Sequence, residues 1–133
     1  MNTRKLTTED WDTLVKWWEA WPKWMAPTKD FLPDNGTFGL MVEKDGIPVV
    51  AGFIYLTNSK TALLEWIVSN PDYREKDRDI VIEKLISDAE QVVKDLGYKY
   101  MFAVMQHKKL IETHKKLGWV SDKKPSFELT KIL

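Results

Sequence analysis

The sequence predicts a single α/β (α+β) domain over residues 1–133, with the element order β-α-β-β-β-α-β-α-β-β. Three observations predict it. The run Thr61 to Ser69 is apolar and rich in β-formers, and it ends in the turn signal Asn70-Pro71-Asp72-Tyr73-Arg74. The segment Ile80 to Leu96 places Ile82, Leu85, Ile86, Ala89, Val93 and Leu96 on one helical face, and Gly97 follows as a stop. Upstream, Thr37 to Val42 and Ile47 to Thr57 flank Lys44-Asp45-Gly46 and read as a hairpin.

The remaining elements follow in order. A short strand near Thr3 to Thr7 opens the chain. Thr7 or Thr8 caps a helix with Glu9 and Asp10 in its first turn, running to Trp18–Trp21 before Pro22. Pro22, Pro27 and Pro33 punctuate an irregular connection up to Asn35-Gly36. After the long helix, Tyr98 to Gln106 reads as a strand and Lys108 to Leu117 as a short helix closed by Gly118. Trp119–Val120 and Ser126–Ile132 make two last strands around Asp122-Lys123-Lys124-Pro125.

Composition narrows the function. Twenty basic and twenty acidic residues leave no net charge and no charged tail, so neither nucleic acid nor an anionic membrane is favoured as partner. The chain has no cysteine, which excludes disulfides, thiol nucleophiles and Cys-ligated zinc. The first ten residues lack an apolar signal region, and no apolar run approaches membrane-spanning length. A cytoplasmic protein is the expectation.

The junction after Ser69 carries the chemistry. A strand that ends in a turn and feeds a helix N-terminus points several N–H groups and the positive end of a helix dipole at one spot, which suits a pyrophosphate. The order here resembles the core motif of the GNAT acetyltransferase superfamily: an apolar strand, Asn/His-Pro-Glu/Asp-Tyr-Arg, a glycine-rich loop, then a helix. The resemblance spans nearly the whole chain and implies a mixed, mostly antiparallel central sheet flanked by helices. It also implies that the loop binds the pyrophosphate of acetyl-CoA or another acyl-CoA.

The loop departs from that family in its glycines. The signature Gln/Arg-x-x-Gly-x-Gly/Ala falls on Arg74-Glu75-Lys76-Asp77-Arg78-Asp79, so two signature glycines become Asp77 and Asp79, and a frequent third becomes Glu75. Three carboxylates facing a pyrophosphate oppose its binding. Arg74, Lys76 and Arg78 alternate with them as replacement cations, and Asp77 or Asp79 is placed to cap the helix. Retained phosphate binding and a degenerate, solvated loop both stay open.

A second landmark supports the resemblance. The family's Asn-x-x-Ala-Ile-x-Leu-Tyr-Glu-Lys-Leu-Gly-Phe is similar to His107-Lys108-Lys109-Leu110-Ile111-Glu112-Thr113-His114-Lys115-Lys116-Leu117-Gly118-Trp119. By this register His107 takes the place of an Asn that contacts the cofactor arm, and His114 that of the Tyr proposed as general acid to the coenzyme thiolate. Against that role stands plain packing of His114 on the apolar face with Leu110, Ile111 and Leu117. The two histidines lie seven residues apart, about 10 Å of helical rise, which does not suit a shared metal.

Glu65 is the candidate base. A carboxylate inside so apolar a strand costs free energy unless paired or used, and the family often employs a glutamate on this strand. The alternative is a half-exposed Glu paired with a lysine such as Lys60. Strand alternation groups Leu63, Glu65, Ile67 and Ser69 on one face and Leu64, Trp66 and Val68 on the other. By resemblance, the backbone of Ile67, Val68 and Ser69 binds the pantetheine arm and the acyl carbonyl.

Five tryptophans fall between Trp11 and Trp24. Trp11, Leu14, Val15, Trp18 and Trp21 form a helical stripe and read as core. Trp17 and Trp24 lie off it, and with Phe31 they are candidates to line an acceptor pocket or to bind a cationic amine face-on. Exposed aromatics equally suit a homodimer or partner surface. The resemblance therefore implies an N-acetyltransferase acting on a small-molecule or peptide amine. The alternative is a degenerate GNAT-fold binding module with a tryptophan-rich surface.

Overall fold

The hairpin read from Lys44-Asp45-Gly46 forms the middle of the sheet. In the computed structural model, which describes residues 1–22 and 25–133, β2 (Gly39–Lys44) and β3 (Ile47–Leu56) are joined by Asp45 and Gly46 at φ 52° and 77°. Two consecutive left-handed residues match the twist of an antiparallel pair, and Gly46 takes the second without strain. β1 (Asn2–Lys5) pairs with β2, and β4 (Thr61–Ser69) with β3, all antiparallel. β5 (Tyr100–Phe102) runs parallel to β4, so among the described residues the sheet has five strands in the order β1-β2-β3-β4-β5. The expected mixed, mostly antiparallel sheet flanked by helices is the fold observed.

Helices cover both faces. α2 (Arg78–Asp95) lays Val81, Leu85, Ile86, Ala89 and Val93 on Leu40, Val42, Val50, Leu64 and Ile67. On the other face, α1 (Trp11–Ala20) packs Leu14, Trp17 and Trp18 against Met41, Ala51, Phe53 and Val68. α3 (Lys108–Lys116) lies beside α2, to which Leu110, Leu117 and Trp119 add apolar contact. Gly39 permits the close approach of β2 and β3, because a Cβ there would collide with the backbone oxygen of Gly52.

Three expectations are corrected. The buried stripe of α1 runs through Leu14, Trp17 and Trp18, so Trp17 is a core residue and not part of an acceptor pocket, whereas Val15 is only half-buried. The strand expected over Tyr98 to Gln106 shrinks to three residues. Trp119–Val120 and Ser126–Ile132 carry no ladder, and Phe127, Leu129 and Ile132 are at least 90% exposed. Strand propensity acts only through a paired neighbour, and β5, at the sheet margin, offers too short a template. Trp24, the other tryptophan read as a pocket residue, lies outside the described residues.

Candidate active site

An extra residue in β4 sets the site. Phe53 faces Glu65 and Ala51 faces Val68, so β4 takes three steps where β3 takes two. This is a β-bulge, and Trp66 occupies its left-handed position at φ 58°, a conformation uncommon for a bulky residue. The bulge reverses the alternation read from sequence. Glu65 shares the α1 face with its partner Phe53, while Ile67 joins Leu64 on the α2 face. Glu65 and Ile67 therefore point to opposite sides of the sheet, contrary to the strict period of two.

A cleft begins where β4 and β5 part. Their ladder covers only Thr61 to Leu63. Beyond it, Ile67, Val68 and Ser69 line a cavity of about 340 Å³ together with Ile82, His107, Leu110 and Thr113. This cavity meets an outer one of about 630 Å³ at the start of α2, lined by Pro71, Arg74, Glu75 and Lys76. Trp21, Arg78, Asp79 and Lys109 border both. The structure thus brings together the strand end, the loop and His107.

The loop geometry shows how its charged side chains are placed. Asn70 pins the strand end, its backbone N–H donating to Val49 O at 2.7 Å and its side-chain Nδ2 to Pro48 O at 2.9 Å. Asp77 holds the N-cap position of α2 but makes no side-chain cap. Its carboxylate is instead paired with Lys44 and accepts the Tyr73 hydroxyl at 2.6 Å. Those two contacts, Lys44 first, hold its carboxyl below the usual range. Among the described residues the first amides of α2 have no side-chain partner, and one of the three carboxylates is turned to other use.

The other loop charges divide. Glu75 and Asp79 border the cavities, and Asp79 is 3.4 Å from Lys109 Nζ. Arg78 donates to Asn70 O at 3.1 Å and to Tyr73 O, with its guanidinium 5.7 Å from the Trp21 ring. Its Nε is buried and unpartnered among the described residues. Arg74 and Lys76 are exposed on the outer cavity and form no ion pair among the described residues. An uncapped helix N-terminus beside two uncommitted cations suits a phosphate pair.

Glu65 sits at the other end of the split. Its Oε1 accepts Val104 N–H at 2.7 Å, so the side chain bridges from β4 to the chain just past β5. Burial pushes its carboxyl up to about 7 and the charge of Glu128 adds to this, against the opposing Val104 hydrogen bond. The alternative pairing with a lysine such as Lys60 is not found: no ion pair involves Glu65 among the described residues. Phe31 lies 5.7 Å from Trp66, edge to face, and Tyr55 Oη donates to Phe31 O at 2.9 Å. Phe31 is partly exposed on this α1 side of the sheet.

The two histidines do different work. His107 caps α3, with Nδ1 accepting from Leu110 N at 3.3 Å, and it borders the inner cavity. His114 is 3% exposed and stacks edge to face on Trp119 at 4.8 Å. Its Nδ1 lies 2.8 Å from Leu110 O, which only accepts, so Nδ1 carries the proton and Nε2, unpartnered among the described residues, carries a lone pair. Burial lowers its pKa. His114 is thus placed as a neutral packing residue that borders neither cavity, and the neighbouring Thr113 faces the inner cavity instead.

Sequence reading missed Trp21, Lys109 and Thr113. Trp21 falls on the core stripe in sequence, yet α1 ends at Ala20 and Trp21 is extended at ψ 129°. The signal is Pro22, which drives its predecessor out of helical geometry. Trp21 then reaches across to donate Nε1–H to Ser69 O at 2.9 Å. Among the described residues, no cluster of three His, Asp or Glu side chains has metal-binding spacing.

Solved structures share this architecture. The ribosomal-protein-S18-alanine N-acetyltransferase of Escherichia coli superposes with a TM-score of 0.70 at 15% identity, covering 88% of this chain and 76% of that one. The wild-type TTHA1254 protein of Thermus thermophilus gives 0.65 at 16% identity, covering 100% and 98%. A GNAT superfamily phosphinothricin acetyltransferase from Sinorhizobium meliloti, solved with AcCoA, gives 0.67 at 17% identity, covering 88% and 73%. The chain has the GNAT fold. No protein-family model and no curated protein matches its sequence.

Proposed function

We propose that the protein transfers an acetyl or other acyl group from a coenzyme A thioester to a primary amine on a small molecule or peptide. The observation that carries this reading is the pair of adjoining cavities that run from the N-terminus of α2 to Ile67, Val68 and Ser69 on β4, with Glu65 just upstream on the same strand. The α2 amides with Arg74, Lys76 and Lys109 hold the pyrophosphate, and β4 beyond the bulge presents backbone groups to the pantetheine arm. Glu65, on the opposite face, meets the acceptor near Phe31 and Trp66.

In this scheme the amine nitrogen attacks the thioester carbonyl, a C–N bond forms and the C–S bond breaks. Glu65 accepts the amine proton; a carboxyl pushed up to about 7 is matched to that task near neutral pH. The thiolate is a moderate leaving group, so no strong acid is needed. His114 supports α3 in this scheme, and proton donation by it is the narrower alternative, tested below.

Calorimetric titration with acetyl-CoA at low salt tests the reading. Binding at micromolar to millimolar concentration is expected, weakening as salt rises; no heat at millimolar acetyl-CoA would falsify it. The degenerate binding module would then stand, without Trp17 on its surface, because Trp17 is core.

A further inference from the structure

The open edge of β4 is already engaged at its phosphate end. Ser69 lines the inner cavity, and its carbonyl accepts the indole N–H of Trp21 at 2.9 Å. Trp21 borders both cavities, so its ring stands at the neck a ligand must cross to lie in both. Arg78 packs on that ring with its Nε buried and without a partner among the described residues. A buried donor left unpaired carries a cost that a bound acceptor would relieve.

We propose that Trp21 is a latch that sets which ligands occupy the inner cavity: its N–H holds the Ser69 carbonyl where an amide N–H of a pantetheine arm would otherwise donate. This rests on the acyl-CoA reading above and adds a specificity-determining residue to it. A ligand with phosphates alone fills the outer cavity and leaves the latch closed. A ligand that also carries an amide-bearing arm competes with the indole for one carbonyl and must displace it. Trp21 reaches this point because Pro22 turns it out of α1, so the latch belongs to the end of that helix.

The test compares two ligands on two proteins by calorimetry at one salt concentration: acetyl-CoA, and adenosine bisphosphate as the nucleotide half without the arm. Trp21→Phe keeps a ring for Arg78 and removes the N–H. Acetyl-CoA should then bind about three- to tenfold more tightly, the worth of one hydrogen bond no longer broken. Adenosine bisphosphate should be unchanged within about twofold. Equal shifts for both ligands, or unchanged or weaker acetyl-CoA binding, overturn the latch and leave the acyl-CoA reading standing. If neither ligand binds the native protein, both fall. Should Trp21→Phe not fold, the indole N–H resonance of Trp21 in the native protein decides: it moves with acetyl-CoA and stays with adenosine bisphosphate, and any other pattern overturns the latch.

Discussion

At the scale of single residues, Glu65 is the most informative. Its carboxyl is raised from 4.5 to about 7 by burial, so the base form grows as pH rises through that value. Turnover per bound substrate should therefore climb up to about pH 7 and level off above, and Glu65→Gln should lower it about a hundredfold and flatten the profile. The same shift acts on stability with the opposite slope. Between 4.5 and 7 the folded protein holds a proton that the unfolded chain has released, so this contribution is lost as pH rises through the folded value. Glu65→Gln should remove that decline in thermal melts. For His114, the buried Nδ1–H to Leu110 O predicts that His114→Phe keeps turnover and cofactor affinity; a selective loss of turnover would make it the acid after all. Sequence pointed at both residues because a Glu in an apolar strand and the only two histidines stand out in one dimension. Helical spacing also put His114 on the apolar face with Leu110, Ile111 and Leu117, and the structure buries it there.

At the scale of elements, β1 is tied to the start of α1 by a local device. Arg4 donates to both Asp10 oxygens at 2.8 Å, and Thr7 N–H donates to the same carboxylate at 2.9 Å. The Arg4 hydrogen bonds hold the Asp10 carboxyl below its usual range. Asp10→Ala should cost about 2 kcal/mol in denaturant melts at neutral pH, the scale of a charge-assisted hydrogen bond with a helix cap. The stabilisation is present above the ordinary carboxylate pKa and should vanish in acid as Asp10 protonates. Gly39→Ala should cost about 3 kcal/mol, since its Cβ meets a backbone oxygen of the facing strand. The bounds of β4 were legible because Thr61 and Asn70-Pro71 punctuate it. Its bulge was not: a period of two, extended along the run, contains nothing that marks where one residue is skipped.

At the scale of the whole molecule, the proposed acyl-CoA binding depends on charge placement. Arg74 and Lys76 are exposed, so their contribution to phosphate binding is screened by salt. Arg74→Ala should weaken acetyl-CoA binding at low salt and reduce the salt dependence measured by calorimetry. The layered architecture was legible from hydrophobic periodicity, because α2 and the hairpin carry unbroken patterns that each require a covered face. The end of the chain was misread for the converse reason. Phe127 and Leu129 alternate as a strand does, but alternation states only that one side would be apolar, and says nothing of whether a neighbour is present.

Trp66 divides nine residues of β4 into two phases. Up to Glu65 the strand addresses one side of the sheet, and from Ile67 onward the same parity of residue addresses the other. A substitution at Leu63 or Glu65 and one at Ile67 or Ser69 thus alter different surroundings, although they sit within a few residues of each other. The bulge works as a frameshift in space: two faces of the sheet are written on one short segment, and each is open to revision while the other is held constant.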